Sequence, residues 1–213
     1  MTSLRKSSNL RLAIVLLAAG EGSRMGSIPK ALLQRDGKPL LEGFCATVKM
    51  LHPVEFLVIT GFHATPIQKE LNRLAKSMDL SITIVHNQNA SAGQASSVRL
   101  ALESLGNAFD VVAMCLSDQP QIGEDELIVL LDHFVDREQH QDVIMPMVGD
   151  QRGNPTLFSK KAVEEMLQIP EMVCRSFMDK YPERVKIFNS DNDSYILDVD
   201  TEADIQRLGI TRA

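Results

Sequence analysis

The sequence predicts an α/β fold, a parallel sheet covered by helices on both faces. Three observations carry that expectation. Short β-rich apolar runs alternate with amphipathic stretches of helical spacing, the pattern of successive βα units. A glycine-bearing turn, Gly20-Glu21-Gly22, directly follows the first apolar run. The 213 residues, 44% hydrophobic and 23% charged, suit one large domain with a sizeable core rather than two. This composition excludes a disordered chain, a coiled coil and a collagen-like repeat.

Taken in order, the run 12–18 is continuously apolar and reads as a strand buried on both faces. Further strands are predicted at 55–60, 81–86, 111–116, 143–147, 156–158 and 185–188, with a short piece at 195–198. Helices at 39–50, 66–78, 93–105, 124–137, 160–169, 173–181 and 201–208 fill the intervals. Thr65 before Pro66 reads as an N-cap followed by proline at the first helical position. Thr201 with Asp204 reads as a capping box in which Asp replaces the usual Glu or Gln. Residues 1–9, polar and basic, read as a loose tail ahead of a single domain over 10–213, with no repeat or linker.

Charge and composition narrow the function. With 22 Lys and Arg against 28 Asp and Glu, the net charge is −6, so no overall positive field exists to hold nucleic acid or an anionic membrane. Any anionic ligand has to be gripped locally. The longest apolar run, 12–19, falls short of the ~18 to 20 residues of a membrane span. Arg5, Lys6 and Arg11 ahead of it mimic a signal peptide, but the run passes straight into Gly20 to Arg24, which makes better sense as a strand feeding a phosphate loop. Cys45, Cys115 and Cys174 are odd in number, widely spaced and without a C-x-x-C pair, so a reducing cytoplasm is expected rather than a disulfide framework or a zinc site. No histidine pair has ligand spacing and no Ser or Cys pairs with a base, so covalent catalysis is not indicated.

The stretch Leu17-Ala18-Ala19-Gly20-Glu21-Gly22-Ser23-Arg24, followed by Lys30, is the first with chemical content. Glycines there let backbone N–H groups approach phosphate oxygens. Arg24 and Lys30 add a planar fork and a mobile point charge, and together they suit a triphosphate. By glycine spacing alone an ordinary βα turn with two solvated cations is the better reading; the added cations and Pro29 tip the balance. A dinucleotide fingerprint fails because Met25 stands where its third glycine belongs, and the Gly-Lys-Ser/Thr of a P-loop is missing. Asp118 follows the strand 111–116 and so falls at the ligand-binding edge of the sheet, although capping the Gln119-Pro120 turn is the bland alternative. Asp200 follows another short segment; two carboxylates plus triphosphate oxygens are what Mg²⁺ takes. Asp198 is read evenly as a residue near the site or as a turn cap.

The string A-A-G-E-G-S-R-M-G-x-x-P-K-x-L-L-x-x-x-G-K-P-L-L from Ala18 to Leu41 resembles the N-terminal signature of the MobA-like nucleotidyltransferase family, the group of the molybdenum cofactor enzymes. The resemblance extends through Leu116-Ser117-Asp118-Gln119-Pro120 and Arg152-Gly153-Asn154-Pro155 to Leu197-Asp198-Val199-Asp200-Thr201, nearly the whole chain. The A-A-G loop and D-Q-P motif are most similar to the cytidylyl members. The resemblance implies a Rossmann-like three-layer fold with a mostly parallel, mixed sheet. It implies transfer of CMP from CTP, or of another NTP's nucleotide, to a phosphorylated pterin, the terminal phosphate of molybdenum-molybdopterin, with a molybdenum hydroxylase as receiving partner. It further implies Asp118 and Asp200 as the Mg²⁺ pair, with Lys30, Arg24 and Asp118 acting in catalysis. Leu17 to Gly20, Gly22, Ser23, Arg24, Lys30, Asn87, Gly93, Ser97 and Asp118 would contact the nucleotide. Gln119, Arg152, Asn154 and Pro155 would face the acceptor; many cytidylyl members carry His where this chain has Asn154, which leaves the acceptor open. Guanylyl transfer, transfer to another phosphorylated acceptor such as a sugar, and a non-catalytic cofactor carrier are the alternatives.

Overall fold

β1 (Leu12–Ala18) is apolar throughout because both of its faces are covered: Leu12, Ile14 and Leu16 enter one hydrophobic cluster, and Ala13, Val15 and Leu17 enter another. The structure, a computed structural model, describes residues 10–212; the tail expected over 1–9 lies outside the described residues. After β1 come a short hairpin, β2 (Gln34–Arg35) and β3 (Lys38–Pro39), and then α1 (Leu40–Leu51). The chain continues through β4 (Glu55–Thr60), α2 (Ala64–Met78), β5 (Thr83–His86), α3 (Gln94–Ser104), β6 (Val111–Leu116) and α4 (Glu124–Val135). Its last part is β7 (Val143–Val148), β8 (Gln151–Arg152), β9 (Thr156–Ser159), α5 (Lys160–Gln168), α6 (Cys174–Lys180), β10 (Val185–Asn189), α7 (Glu202–Arg207) and β11 (Ile210–Thr211).

The main sheet runs β10-β7-β9-β6-β1-β4-β5, with β8 paired to β7 off that path. β1 lies parallel to β4 and β6, β4 to β5, and β7 to β10. β9 is antiparallel to both β6 and β7, so the sheet is mixed and mostly parallel, not purely parallel as the βα alternation alone predicts. The reason is length: residues 149–155, between β7 and β9, are too few for the dozen or more that a parallel crossover needs. α1, α2 and α4 cover one face through Phe44, Leu71 and Leu130, and α3, α5 and α6 cover the other through Leu102, Val163 and Phe177. This is the expected Rossmann-like three-layer arrangement. Among the described residues, no helix is long and apolar enough to cross a membrane.

A second, three-stranded antiparallel sheet, β11-β2-β3, lies over a small cluster of Met25, Leu33, Leu40, Val199, Ile205 and Ile210. That cluster fastens the glycine-bearing loop to the C-terminal segment. Two local expectations are corrected. His63 is the N-cap of α2 and Thr65 sits in its first turn. Residues 195–198 form no strand: 193–195 is a 3₁₀ turn that buries Tyr195, whose hydroxyl donates to the Glu126 carbonyl (3.1 Å). The capping box at α7 forms as expected, with Asp204 N donating to Thr201 Oγ1 (3.2 Å) and Thr201 N to Asp204 Oδ2 (2.9 Å).

Candidate active site

At the C-terminal ends of β1, β4 and β6 lies a cavity of about 500 Å³, the place where open α/β sheets bind ligands. The loop after β1 forms its floor. Gly22 has φ +67, and a Cβ there would collide with the Ile28 carbonyl, so this turn requires glycine. The Gly22 carbonyl accepts from Met25 N and Ser27 N (both 3.0 Å), which curls the loop back and lifts Arg24 to the rim.

Two local devices bring the distant carboxylates together. The Asp118 carbonyl accepts from Val199 N (2.9 Å), tying the segment after β6 to the chain just before Asp200. Asp204 Oδ2, already engaged in the α7 cap, also accepts from Asp200 N (3.2 Å). As a result the Lys30 ammonium donates to both side chains, to Asp118 Oδ2 at 3.0 Å and to Asp200 Oδ1 at 2.5 Å. Arg24 Nη1 donates to Asp200 Oδ2 at 2.8 Å.

The electrostatics follow. Burial by itself would lower the Lys30 pKa, but the charges and hydrogen bonds of Asp118 and Asp200 outweigh it and the ammonium is raised. The Lys30 hydrogen bond, with the Lys30 and Arg24 charges, overcomes burial and holds the Asp200 carboxyl below its usual range. Asp198 also lines the cavity; burial, then the charges of Asp118 and Asp200, push its carboxyl up to about 6. Its Oδ1 and the Oε1 of Gln119 are buried acceptors with no hydrogen-bond partner.

This donor set fits a hard divalent cation. One small cationic group already reaches both Asp118 and Asp200, and four carboxylates, Glu21, Asp118, Asp198 and Asp200, line the cavity against the two cations Arg24 and Lys30. Among the described residues no group of three or more acidic, His or Cys side chains forms a complete cage. An ion on Asp118 and Asp200 would therefore take its remaining ligands from water and phosphate, the habit of Mg²⁺.

The residues singled out in the sequence fall into two groups. Leu17 to Gly20, Gly22, Ser23, Arg24, Lys30, Gly93, Ser97, Asp118 and Asp200 all line the cavity. Asn87 does not. It is 5% exposed and braces the turn behind the wall, donating from Nδ2 to Ser96 and Ser97 Oγ (both 2.9 Å) and accepting from Asn89 N. Gln119 lines a neighbouring cavity of about 610 Å³ beside β2, β3 and the start of α1. Gln119 Nε2 and Asn154 N both donate to the Tyr195 carbonyl (3.1 and 2.7 Å), so these two share one anchor. Pro155 is buried beside them, and Arg152 on β8 is exposed and paired with Asp179 (2.6 Å). Neither cavity is lined by Arg152, Asn154 or Pro155. Missed in the sequence were Phe62, from the turn after β4, Ser91, from the turn after β5, and Gln94, the first residue of α3. Their one available signal was position, directly after parallel strands.

Comparison with known proteins agrees with this architecture. Residues 14–185 match the MobA-like NTP transferase domain. The bifunctional protein GlmU of Clostridioides difficile is 28% identical over 158 residues, 74% of this chain and 32% of GlmU. That of Paracoccus denitrificans is 31% identical over 126 residues, 59% of this chain and 27% of its own. The chain thus spans about a third or less of the length of these two relatives. Among solved structures, Rv0371c from Mycobacterium tuberculosis superposes with a TM-score of 0.71 at 21% identity, covering 93% of this chain and 97% of its own. The 4-diphosphocytidyl-2C-methyl-D-erythritol synthase of Anaerococcus prevotii gives 0.71 at 16% identity, covering 96% of both. Rv0371c has also been solved as a manganese complex, with a TM-score of 0.67 at 21% identity and coverage of 93% and 97%.

Proposed function

The chain belongs to the MobA-like NTP transferase family, and from that premise we propose that it transfers a nucleoside monophosphate from an NTP to a phosphorylated acceptor, releasing pyrophosphate. The observation that carries this is the single ammonium shared by Asp118 and Asp200 at the edge of a glycine-floored cavity. An acceptor phosphate oxygen attacks the α-phosphorus, and the bond to the pyrophosphate oxygen breaks in line. The difficulty is bringing two anions together, so catalysis rests on positioning and charge neutralisation rather than on a protein nucleophile.

In this reading the loop 19–26 holds the β- and γ-phosphates through its backbone N–H groups. Arg24 and Lys30 meet charge developing on the transferred and leaving groups. Lys30 must release at least one carboxylate to do so, and its long flexible stem allows the swing. Asp118 and Asp200 would hold Mg²⁺, which would supply Lewis-acid neutralisation of phosphate charge. Gly93 and Ser97, at the start of α3, face the nucleoside, with Asn87 bracing them.

The finer reading is CMP transfer from CTP to the terminal phosphate of molybdenum-molybdopterin, working as one domain over 10–213 in the cytoplasm and supplying a molybdenum hydroxylase. The A-A-G loop and Asp118-Gln119-Pro120 support the cytidylyl choice, and three buried free cysteines accord with a reducing setting. Gln119, Arg152, Asn154 and Pro155 belong to the acceptor side in this reading. Asn154, where many cytidylyl members carry His, favours a second reading: the same transfer to a different phosphorylated acceptor.

The test is pyrophosphate release with each of the four NTPs and Mg²⁺, in the presence of molybdopterin carrying molybdenum or of a sugar phosphate. CTP with the pterin should release pyrophosphate fastest. Release with the sugar phosphate alone selects the second reading, and tight pterin binding without release under any NTP makes the protein a carrier.

A further inference from the structure

The cavity has a chemical polarity that the reaction alone does not explain. Lys30, Asp118, Asp200 and Arg24 gather at one end. At the other, the turn after β4 brings in Phe62, which is 47% exposed. Among the described residues it is the one large, exposed apolar side chain that lines this cavity. An aromatic ring held open to water at a turn gains little for the fold, since it buries only about half of its surface.

The ring is held deliberately in register with the nucleotide loop. Phe62 N donates to the Ala19 carbonyl (3.4 Å), and His63 Nε2 donates to the Glu21 carbonyl (2.8 Å). Gly61 permits this closeness, because a Cβ there would strike the Ala19 carbonyl and the Ala90 side chain. Ile67 and Ala90 add apolar surface to the lining of the same cavity. Asp118 follows β6 and Phe62 follows β4, with β1 between them. Two strand spacings, about 10 Å, therefore separate the carboxylate end from the aromatic end, the order of distance a ribose keeps between an α-phosphate and its base.

We propose that Phe62 is the nucleobase platform of this cavity: the base of the bound nucleoside triphosphate stacks on its ring, and His63 keeps that platform and the phosphate loop in one rigid unit. The inference rests on the nucleotidyl-transfer reading above. A stacking face accepts every base, so Phe62 sets affinity for the nucleoside and leaves the choice among bases to polar groups such as Gln94 and Ser97.

The chain contains no tryptophan and two tyrosines, so Phe62→Trp installs a single tryptophan at the platform, excited apart from the tyrosines at its red edge. Binding is measured with MgCTP, with MgGTP and with magnesium tripolyphosphate, which carries the phosphates without a base. Phe62→Ala should weaken both nucleotides by about 5- to 150-fold and leave tripolyphosphate unchanged, while Phe62→Tyr stays within about 3-fold of the unaltered protein. In Phe62→Trp, nucleotides should quench the emission and tripolyphosphate should not. Equal nucleotide affinity in Phe62→Ala, or an equal loss for nucleotides and tripolyphosphate, overturns the platform while leaving nucleotidyl transfer standing. Failure of the unaltered protein to bind any nucleotide overturns both.

Discussion

Replacing Asp198 by Asn should stabilise the metal-free protein at neutral pH. The carboxyl is partly buried and feels the charges of Asp118 and Asp200, its Oδ1 has no hydrogen-bond partner, and despite a hydrogen bond from Gln119 and the Lys30 charge its pKa is pushed up to about 6. Holding the proton up to about pH 6 instead of about 4 corresponds to about 3 kcal/mol against folding when the group is ionised. Asp198 keeps a side open to the cavity, so solvent screening brings the expected gain from Asn to about 1 kcal/mol. The sign is fixed by linkage. A carboxyl whose folded-state pKa lies above its unfolded value weakens folding as pH rises past the unfolded value, fully so above the folded one, and the penalty fades as pH falls back through both. Urea unfolding in EDTA should therefore show Asp198→Asn more stable by about 1 kcal/mol at pH 8. The gap should close between pH 6 and 4. A variant less stable than the parent at pH 8, or a gap independent of pH, refutes the claim that an unfavourable charge sits there.

Three further outcomes follow from the same geometry. Lys30→Ala should lower turnover by about 100-fold or more and, by vacating the space between Asp118 and Asp200, raise the affinity for Mn²⁺ without nucleotide, read by electron paramagnetic resonance. Gly22→Ala forces a side chain into left-handed backbone and onto the Ile28 carbonyl; it should cost about 1–3 kcal/mol in thermal unfolding and weaken tripolyphosphate binding. Asp142 is 3% exposed, and hydrogen bonds from Ser159 and Arg184 outweigh burial to hold its pKa low. The stability it confers is present above the ordinary carboxylate range and lost as pH falls, so Asp142→Asn should be destabilising at pH 7 with a gap that narrows toward acid.

Much of the fold was legible because its signals are local. The continuous apolar run of β1 announces a strand covered on both faces, and Thr201 with Asp204 announces the start of α7 within four residues of chain. Gly22, Arg24 and Lys30 lie close enough in sequence for their loop to be read directly. Asn87 was legible only as a polar residue after a strand; packing turned it inward to brace Ser96 and Ser97 rather than into the cavity. Phe62 carried no motif at all. Its place in the cavity wall comes from the strand order that sets β4 beside β1, and from Gly61 allowing the two turns to touch.

By itself the sequence determined the βα rhythm, the glycine-floored turn and the identities of the acidic and basic groups, because hydrophobic period and turn chemistry act between near neighbours in the chain. Tertiary structure alone decided that β9 enters the sheet antiparallel, that Lys30 stands between Asp118 and Asp200, and that an aromatic ring from the turn after β4 lines the same cavity. Those outcomes depend on which strands pair and which segments share a core. Such long-range contacts are selected by the burial of the whole sheet, not by any short stretch within it.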